Sequence, residues 1–120
     1  MRQVIVVDDD AGFRALLREM FDSTAEFNVV GAAESGSQAL DLIDNLRPDL
    51  LVSDIEMPEM DGLELVRRTT KRYPNTQSIL VSANDESTCL DHARAEGAIA
   101  FIPKSRLSIS SVEQALAAAS

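Results

Sequence analysis

The chain has no tryptophan, one tyrosine (Tyr73), one cysteine (Cys89) and one histidine (His92). A single cysteine excludes an intramolecular disulfide and fits a reducing, cytoplasmic setting. A single histidine excludes a His-rich metal site and any histidine pair. Cations are also scarce: 11 Lys and Arg stand against 20 Asp and Glu, for a net charge of −9. That balance argues against direct nucleic-acid binding, because phosphate backbones demand Lys/Arg patches. It argues equally against an anionic membrane surface. Long apolar runs are missing too. The N-terminal "MRQVIVVDDD" meets three aspartates after five uncharged residues, too early for a signal h-region or a membrane span.

The residues present describe an ordinary globule, 45% hydrophobic and 26% charged over 120 positions. The length predicts one domain over 1–120, large enough to bury a core without staples. Short apolar runs alternate with segments of helical period. "VIVV" (4–7) precedes Phe13, Leu16, Leu17, Met20 and Phe21, one helix stripe. "FNVVGAA" (27–33) precedes Ala39, Leu40, Ile43 and Leu46, with Ser35-Gly36-Ser37 as the helix start. "DLLVS" (49–53) precedes Leu63, Leu65 and Val66. That helix ends in Arg67, Arg68, Lys71 and Arg72, and Pro74 stops it. "SILVS" (78–82) precedes Leu90, Ala93 and Ala95, closed by Gly97. "AIAFI" (98–102) precedes Val112, Leu116 and Ala119. Five strand–helix units with uniformly apolar strands predict a doubly wound α/β fold on a buried parallel sheet.

In such sheets ligands bind beyond the carboxyl ends of the strands. Those ends carry Asp8-Asp9-Asp10, Asp54, Ser82 and Pro103-Lys104. The second strand ends at Glu34, on an edge. Two carboxylates about 4 Å apart repel by about 4 kcal/mol at an effective dielectric near 20, so a cation is expected among them. A few carboxylates with positions left for water suit Mg²⁺ better than Ca²⁺. An aspartate can also attack phosphorus to give an aspartyl phosphate, with a metal and a lysine offsetting the charge. Asp54, alone on the middle strand between acids and Lys104, is the expected nucleophile. The bland reading makes Asp54 a loop cap and the other four unrelated loop ends; convergence on one rim speaks against it. Asp10 reads more simply as the N-cap of the first helix. Met57 and Met60 read as turn packing, His92 as plain surface, and the basic run at 67–72 as a helix end.

The motifs "VIVVDDD", "LLVSDIEMPEMDGLEL", "ILVSA" and "AFIPKS" together resemble the receiver domain of bacterial two-component response regulators, over essentially the whole chain. The resemblance implies the flavodoxin-like strand order 2-1-3-4-5. It implies Asp54 as phosphoacceptor, Asp8 and Asp9 as the Mg²⁺ pair, and Glu56 as a ligand through its main-chain carbonyl. Ser82 and Lys104 take the roles of the hydroxyl and lysine that engage the phosphoryl group, and Phe101 the aromatic switch position. Glu56 and Asn84 occupy places whose side chains tune how fast water removes the phosphoryl group. The donor implied is a phosphohistidine on a sensor kinase or histidine phosphotransfer protein, and the responsive surface is the fourth helix, fifth strand and fifth helix. Such a protein catalyses only its own phosphorylation and slow dephosphorylation. Ser105 after Lys104, where proline is common, resembles regulators carrying a LuxR-type helix-turn-helix and hints at transcription control. Phe101 lacks the tyrosyl hydroxyl found at that position in other members. Two other readings stand beside this one: a small haloacid-dehalogenase-like phosphatase using Asp8, and a docking-only pseudo-receiver. The resemblance leaves a homodimer formed on phosphorylation among the expected partners.

Overall fold

A computed structural model describes residues 1–83 and 87–120, with only the backbone of 87–89. Five strands, β1 (Arg2–Val7), β2 (Phe27–Ala33), β3 (Leu50–Asp54), β4 (Gln77–Ser82) and β5 (Ala100–Pro103), alternate with five helices. The helices are α1 (Ala11–Asp22), α2 (Gly36–Leu46), α3 (Gly62–Arg72), α4 (Ser87–Glu96) and α5 (Ile109–Ala119), and a 3₁₀ turn spans Lys104–Arg106. All pairings are parallel and the sheet order is β2-β1-β3-β4-β5, as the resemblance implies.

Each central strand feeds two cores, because successive side chains point to opposite faces. Val4, Val6, Leu50, Val52, Ile79 and Val81 pack with Leu17 and Phe21 of α1 and Val112 and Leu116 of α5. Ile5, Val7, Leu51 and Leu80 pack with Ala39 and Ile43 of α2, Leu65 and Val66 of α3, and Ala93 of α4. Burial on both faces is why these strands read as unbroken apolar runs rather than as alternating ones.

Helix starts follow the chemistry of the sequence. Asp10, Ser35, Asp61 and Ser108 cap α1, α2, α3 and α5, each accepting a backbone N–H of the first turn. Arg72 is the last residue of α3, two before Pro74, and Gly97 closes α4 with a φ of 109°. The apolar stripes are narrower than expected. Leu16 is 60% exposed and Leu46 39% exposed; Ala95 and Ala119 also face solvent. A helix against a sheet buries an arc of about 100°, and these four lie at or beyond its edge. The strand bounds shift by one or two residues, and the fifth begins at Ala100 because Ala98 and Ile99 belong to the approach from α4.

One glycine is demanded by close approach at the heart of the fold. A Cβ on Gly62, the first residue of α3, would stand 2.1 Å from the carbonyl oxygen of Asp54. Both groups are backbone, so no side-chain rotation relieves the clash. Gly62→Ala should therefore destabilise the domain by about 2–4 kcal/mol in urea unfolding. A cost below about 0.5 kcal/mol would contradict this packing.

Candidate functional site

Strand register brings the loop ends together. Val7 pairs with Ser53, so Asp8 stands level with Asp54. Asp54 pairs with Val81, which places Ser82 one residue further out, and Ser82 pairs with Pro103, which sets Lys104 just beyond it. The rim is thus a staircase of acid, acid, hydroxyl and ammonium across four adjacent strands.

Asp8 is wholly buried and held from several sides. Its Oδ1 accepts from the Asp10 N–H at 2.8 Å, and its Oδ2 lies 2.9 Å from the Lys104 Nζ. Its main-chain carbonyl accepts from Arg14 Nη1 at 2.7 Å. Asp54 is also buried, yet its Oδ1 accepts no hydrogen bond; Lys104 Nζ is 3.7 Å away. A buried carboxylate oxygen without a donor is costly unless a cation or a reaction uses it. Carboxylate oxygens of Asp8, Asp9 and Asp54 all lie within 4.8 Å of one another, the spacing of a divalent-cation site. The donor set is all oxygen, which fits Mg²⁺.

The electrostatics follow from this crowding. Burial, followed by the Asp8 charge, pushes the Asp54 carboxyl up to about 7; Lys104 pulls down, and Glu56 and Asp9 add to the rise. For Lys104 partial burial acts to lower the pKa. The hydrogen bond to Asp8 and the charges of Asp54, Asp8 and Asp10 outweigh it, so the ammonium is held above its ordinary value. The ammonium also sits 4.1 Å from the centroid of the Phe13 ring, a cation–π contact.

Ser82 is buried, and its hydroxyl donates to the Glu56 carboxylate, with Oε1 at 2.7 Å and Oε2 at 2.9 Å. The loop that presents Glu56 is tightly wound. The Met60 N–H donates to the Pro58 carbonyl at 2.8 Å around Glu59, whose φ is 68°. That three-residue turn is strained for a residue with a Cβ. Met57 is buried beneath it, as turn packing. Phe101 is half-buried against the α2–α3–α4 layer, and His92 is exposed on α4. Asn84 lies outside the described residues.

Of the expected site residues, the structure brings Asp8, Asp9, Asp54 and Lys104 together and sets Ser82 at the adjacent strand end, on Glu56. Asp10 caps α1, its Oδ1 accepting from the Gly12 N–H at 2.9 Å, and does not line the acid cluster. Sequence reasoning missed Arg14 and Phe13. Phe13 was absorbed into the core stripe. Both follow the acidic run by one helical turn, so α1 folds them back over the rim, and that spacing was the available signal.

Residues 4–116 match the family model of the response regulator receiver domain. The chain belongs to that family. This receiver domain is 40% identical over 110 residues to the protein-glutamate methylesterase/protein-glutamine glutaminase of Pyrococcus horikoshii, covering 90% of this chain and 30% of that protein. It is 30% identical over 102 residues to the transcriptional regulatory protein DegU of Brevibacillus brevis, covering 85% of this chain and 43% of that protein. It is similar in structure to the signal receiver domain of the response regulator NarL from Mycobacterium tuberculosis. The TM-score there is 0.89, with 32% identity over 98% of this chain and 95% of that one. The receiver thus spans less than half the length of either curated relative. No described helix is long and apolar enough to cross a membrane.

The raised Asp54 pKa carries a stability consequence. With a folded value near 7 against 3.8 unfolded, the favourable contribution is complete below pH 3.8 and is lost as pH rises through 7. Without divalent cations, Asp54→Asn should exceed the wild type in stability by about 2 kcal/mol at pH 8, the gap closing toward pH 4. Added Mg²⁺ should narrow the gap at pH 8 by stabilising the wild type. Urea unfolding at both pH values reads this; a gap independent of pH would show that charge is not its cause.

Proposed function

We propose that this domain is a phosphorylation-controlled switch, with Asp54 as the residue that accepts the phosphoryl group. The observation that carries the reading is the buried Asp54 Oδ1, without a hydrogen-bond donor, between two acids and an ammonium. The donor is a phosphohistidine of a sensor kinase or histidine phosphotransfer protein. An Asp54 oxygen attacks phosphorus, the P–N bond to imidazole breaks, and the electron pair leaves with the ring nitrogen. The product is an acyl phosphate on β3. Mg²⁺, held by Asp8, Asp9, Asp54 and the Glu56 main-chain carbonyl, would offset charge on the transferred group.

The chain's own groups then have distinct tasks. Lys104 exchanges part of its pairing with Asp8 and Asp54 for a phosphoryl oxygen, and Ser82 donates its hydroxyl proton to another. Phe101 sits on β5, the strand beside Ser82, so movement of the hydroxyl is passed to the surface of α4, β5 and α5 by altered packing. The output is a further domain or a partner protein. The DegU-like similarity and Ser105 favour transcription control, and the methylesterase-like similarity shows that the same kind of receiver also accompanies catalytic domains.

The phosphatase reading requires Asp8 as nucleophile. Asp8 has one carboxylate oxygen on the Asp10 N–H and the other 2.9 Å from the Lys104 ammonium, whereas Asp54 Oδ1 lies 3.7 Å from it and has no donor, which favours Asp54.

Intact mass after incubation with acetyl phosphate and Mg²⁺ tests the assignment. The wild type should gain one phosphoryl group, and Asp54→Ala or omission of metal should abolish the gain. An adduct that survives Asp54→Ala but not Asp8→Ala would instead support the phosphatase. No adduct, with beryllofluoride also unbound, would leave a docking module.

A further inference from the structure

Glu56 is two residues past Asp54 and largely exposed, yet both its carboxylate oxygens are turned back onto one buried hydroxyl. A hydroxyl has one proton, so the two short contacts are a single three-centred, charge-assisted hydrogen bond, stronger than a neutral one. In the switch proposed above, that same proton is needed by an oxygen of the phosphoryl group. It cannot serve both acceptors.

We propose that Glu56 is a positioning residue acting through Ser82: its side chain holds the hydroxyl in the unphosphorylated orientation, and phosphoryl transfer must break this contact. The inference rests on Asp54 being the phosphoacceptor. It differs from a metal-ligand role of Glu56, which uses the main-chain carbonyl, and from a role in water attack on the finished acyl phosphate. The contact acts earlier, on the balance between the two orientations of Ser82.

The geometry makes the contact a suitable threshold. Ser82 lies at the end of β4, paired with Pro103 of β5, so its main chain is fixed and the hydroxyl moves by side-chain rotation alone. Glu56 belongs to a loop and is open to water on its outer side, so once released its charge is solvated at little cost. The strained turn from Pro58 to Met60, centred on Glu59, follows two residues after Glu56 and restricts the path of its loop. Breaking the Glu56 contact therefore removes the acceptor that orients the hydroxyl proton, without unfolding either element. A negative carboxylate in this place also opposes an incoming anionic group, and the two effects have to be separated by experiment.

A double-mutant cycle separates them. Beryllofluoride, a mimic of the phosphoryl group, is titrated at saturating Mg²⁺ into the wild type, Glu56→Ala, Ser82→Ala and the double variant. Glu56→Ala should tighten apparent beryllofluoride binding by about three- to tenfold when Ser82 is present, and the gain should vanish in the Ser82→Ala background. Equal gains in both backgrounds would reduce Glu56 to simple repulsion and overturn the latch. A loss of affinity in Glu56→Ala would overturn it as well. A second readout is the Ser82 χ1 distribution from three-bond couplings in the ligand-free proteins. One dominant rotamer is expected in the wild type and a spread in Glu56→Ala; an unchanged single rotamer in the variant counts against the contact. If the wild type takes up no beryllofluoride, the phosphoacceptor reading falls and the latch with it. If it does and the cycle shows no coupling, the latch falls alone.

Discussion

Asp8 and Asp54 are both buried, carry like charge and stand side by side at the ends of adjacent strands, with only one ammonium between them. Continuous electrostatic strain of this kind is removed from most cores, because a buried carboxylate costs several kcal/mol unless paired. Here the pairing is incomplete in a specific way. Lys104 is 2.9 Å from Asp8 Oδ2 and 3.7 Å from Asp54 Oδ1, so Asp8 holds the closer ion pair. Burial and the Asp8 charge raise Asp54, and its buried Oδ1, without a donor, is left among Asp8, Asp9 and the ammonium. Several contacts around the pair hold it in place. The Asp10 N–H and Arg14 fix Asp8, the Phe13 ring holds the ammonium, and Gly62 permits α3 to start against the Asp54 carbonyl.

The sheet is what lets such strain persist. Asp54 closes a strand buried along its whole length, paired on both sides and anchored in two hydrophobic cores. Relaxing the carboxylates apart would require sliding β3 against β1 or β4. In a parallel sheet a slip by one residue turns every buried side chain of the strand to the opposite face. Packing on this scale far outweighs one repulsive pair, so the fold dictates the spacing and the chemistry adapts to it.

This division also explains what could be read from the sequence. Apolar runs, helical spacing and caps such as Asp10 and Ser35 express local physics that leaves its mark in residue order, and they led to the correct elements and to a parallel sheet, whose strand order came from the family resemblance. The positions of Asp8, Asp54, Ser82 and Lys104 followed, since ends of parallel strands must share a rim. Side-chain aim did not follow. The sequence places Glu56 in a loop, but that its carboxylate folds back onto Ser82 depends on the turn around Glu59 and on β4 lying next to β3. Phe13 belongs to an apolar stripe by spacing and to the site by the start angle of α1. Leu16 and Ala95 fit the helical period, yet each faces water because the sheet buries a narrower arc than the pattern suggests.

The same reasoning separates what receivers share from what distinguishes them. Relatives that pair this fold with a methylesterase or with a transcriptional regulator differ in what they deliver, so the acid rim does not encode the output. Its contacts are short and directed inward, ending at Ser82 and Lys104 on β4 and at the exit of β5. On β5 the half-buried Phe101 packs against the core cluster that α2, α3 and α4 share. The proton that the Ser82 hydroxyl gives to Glu56 is thus the point where the loop after β3 meets the end of β4, one residue beyond the strand partner of Asp54.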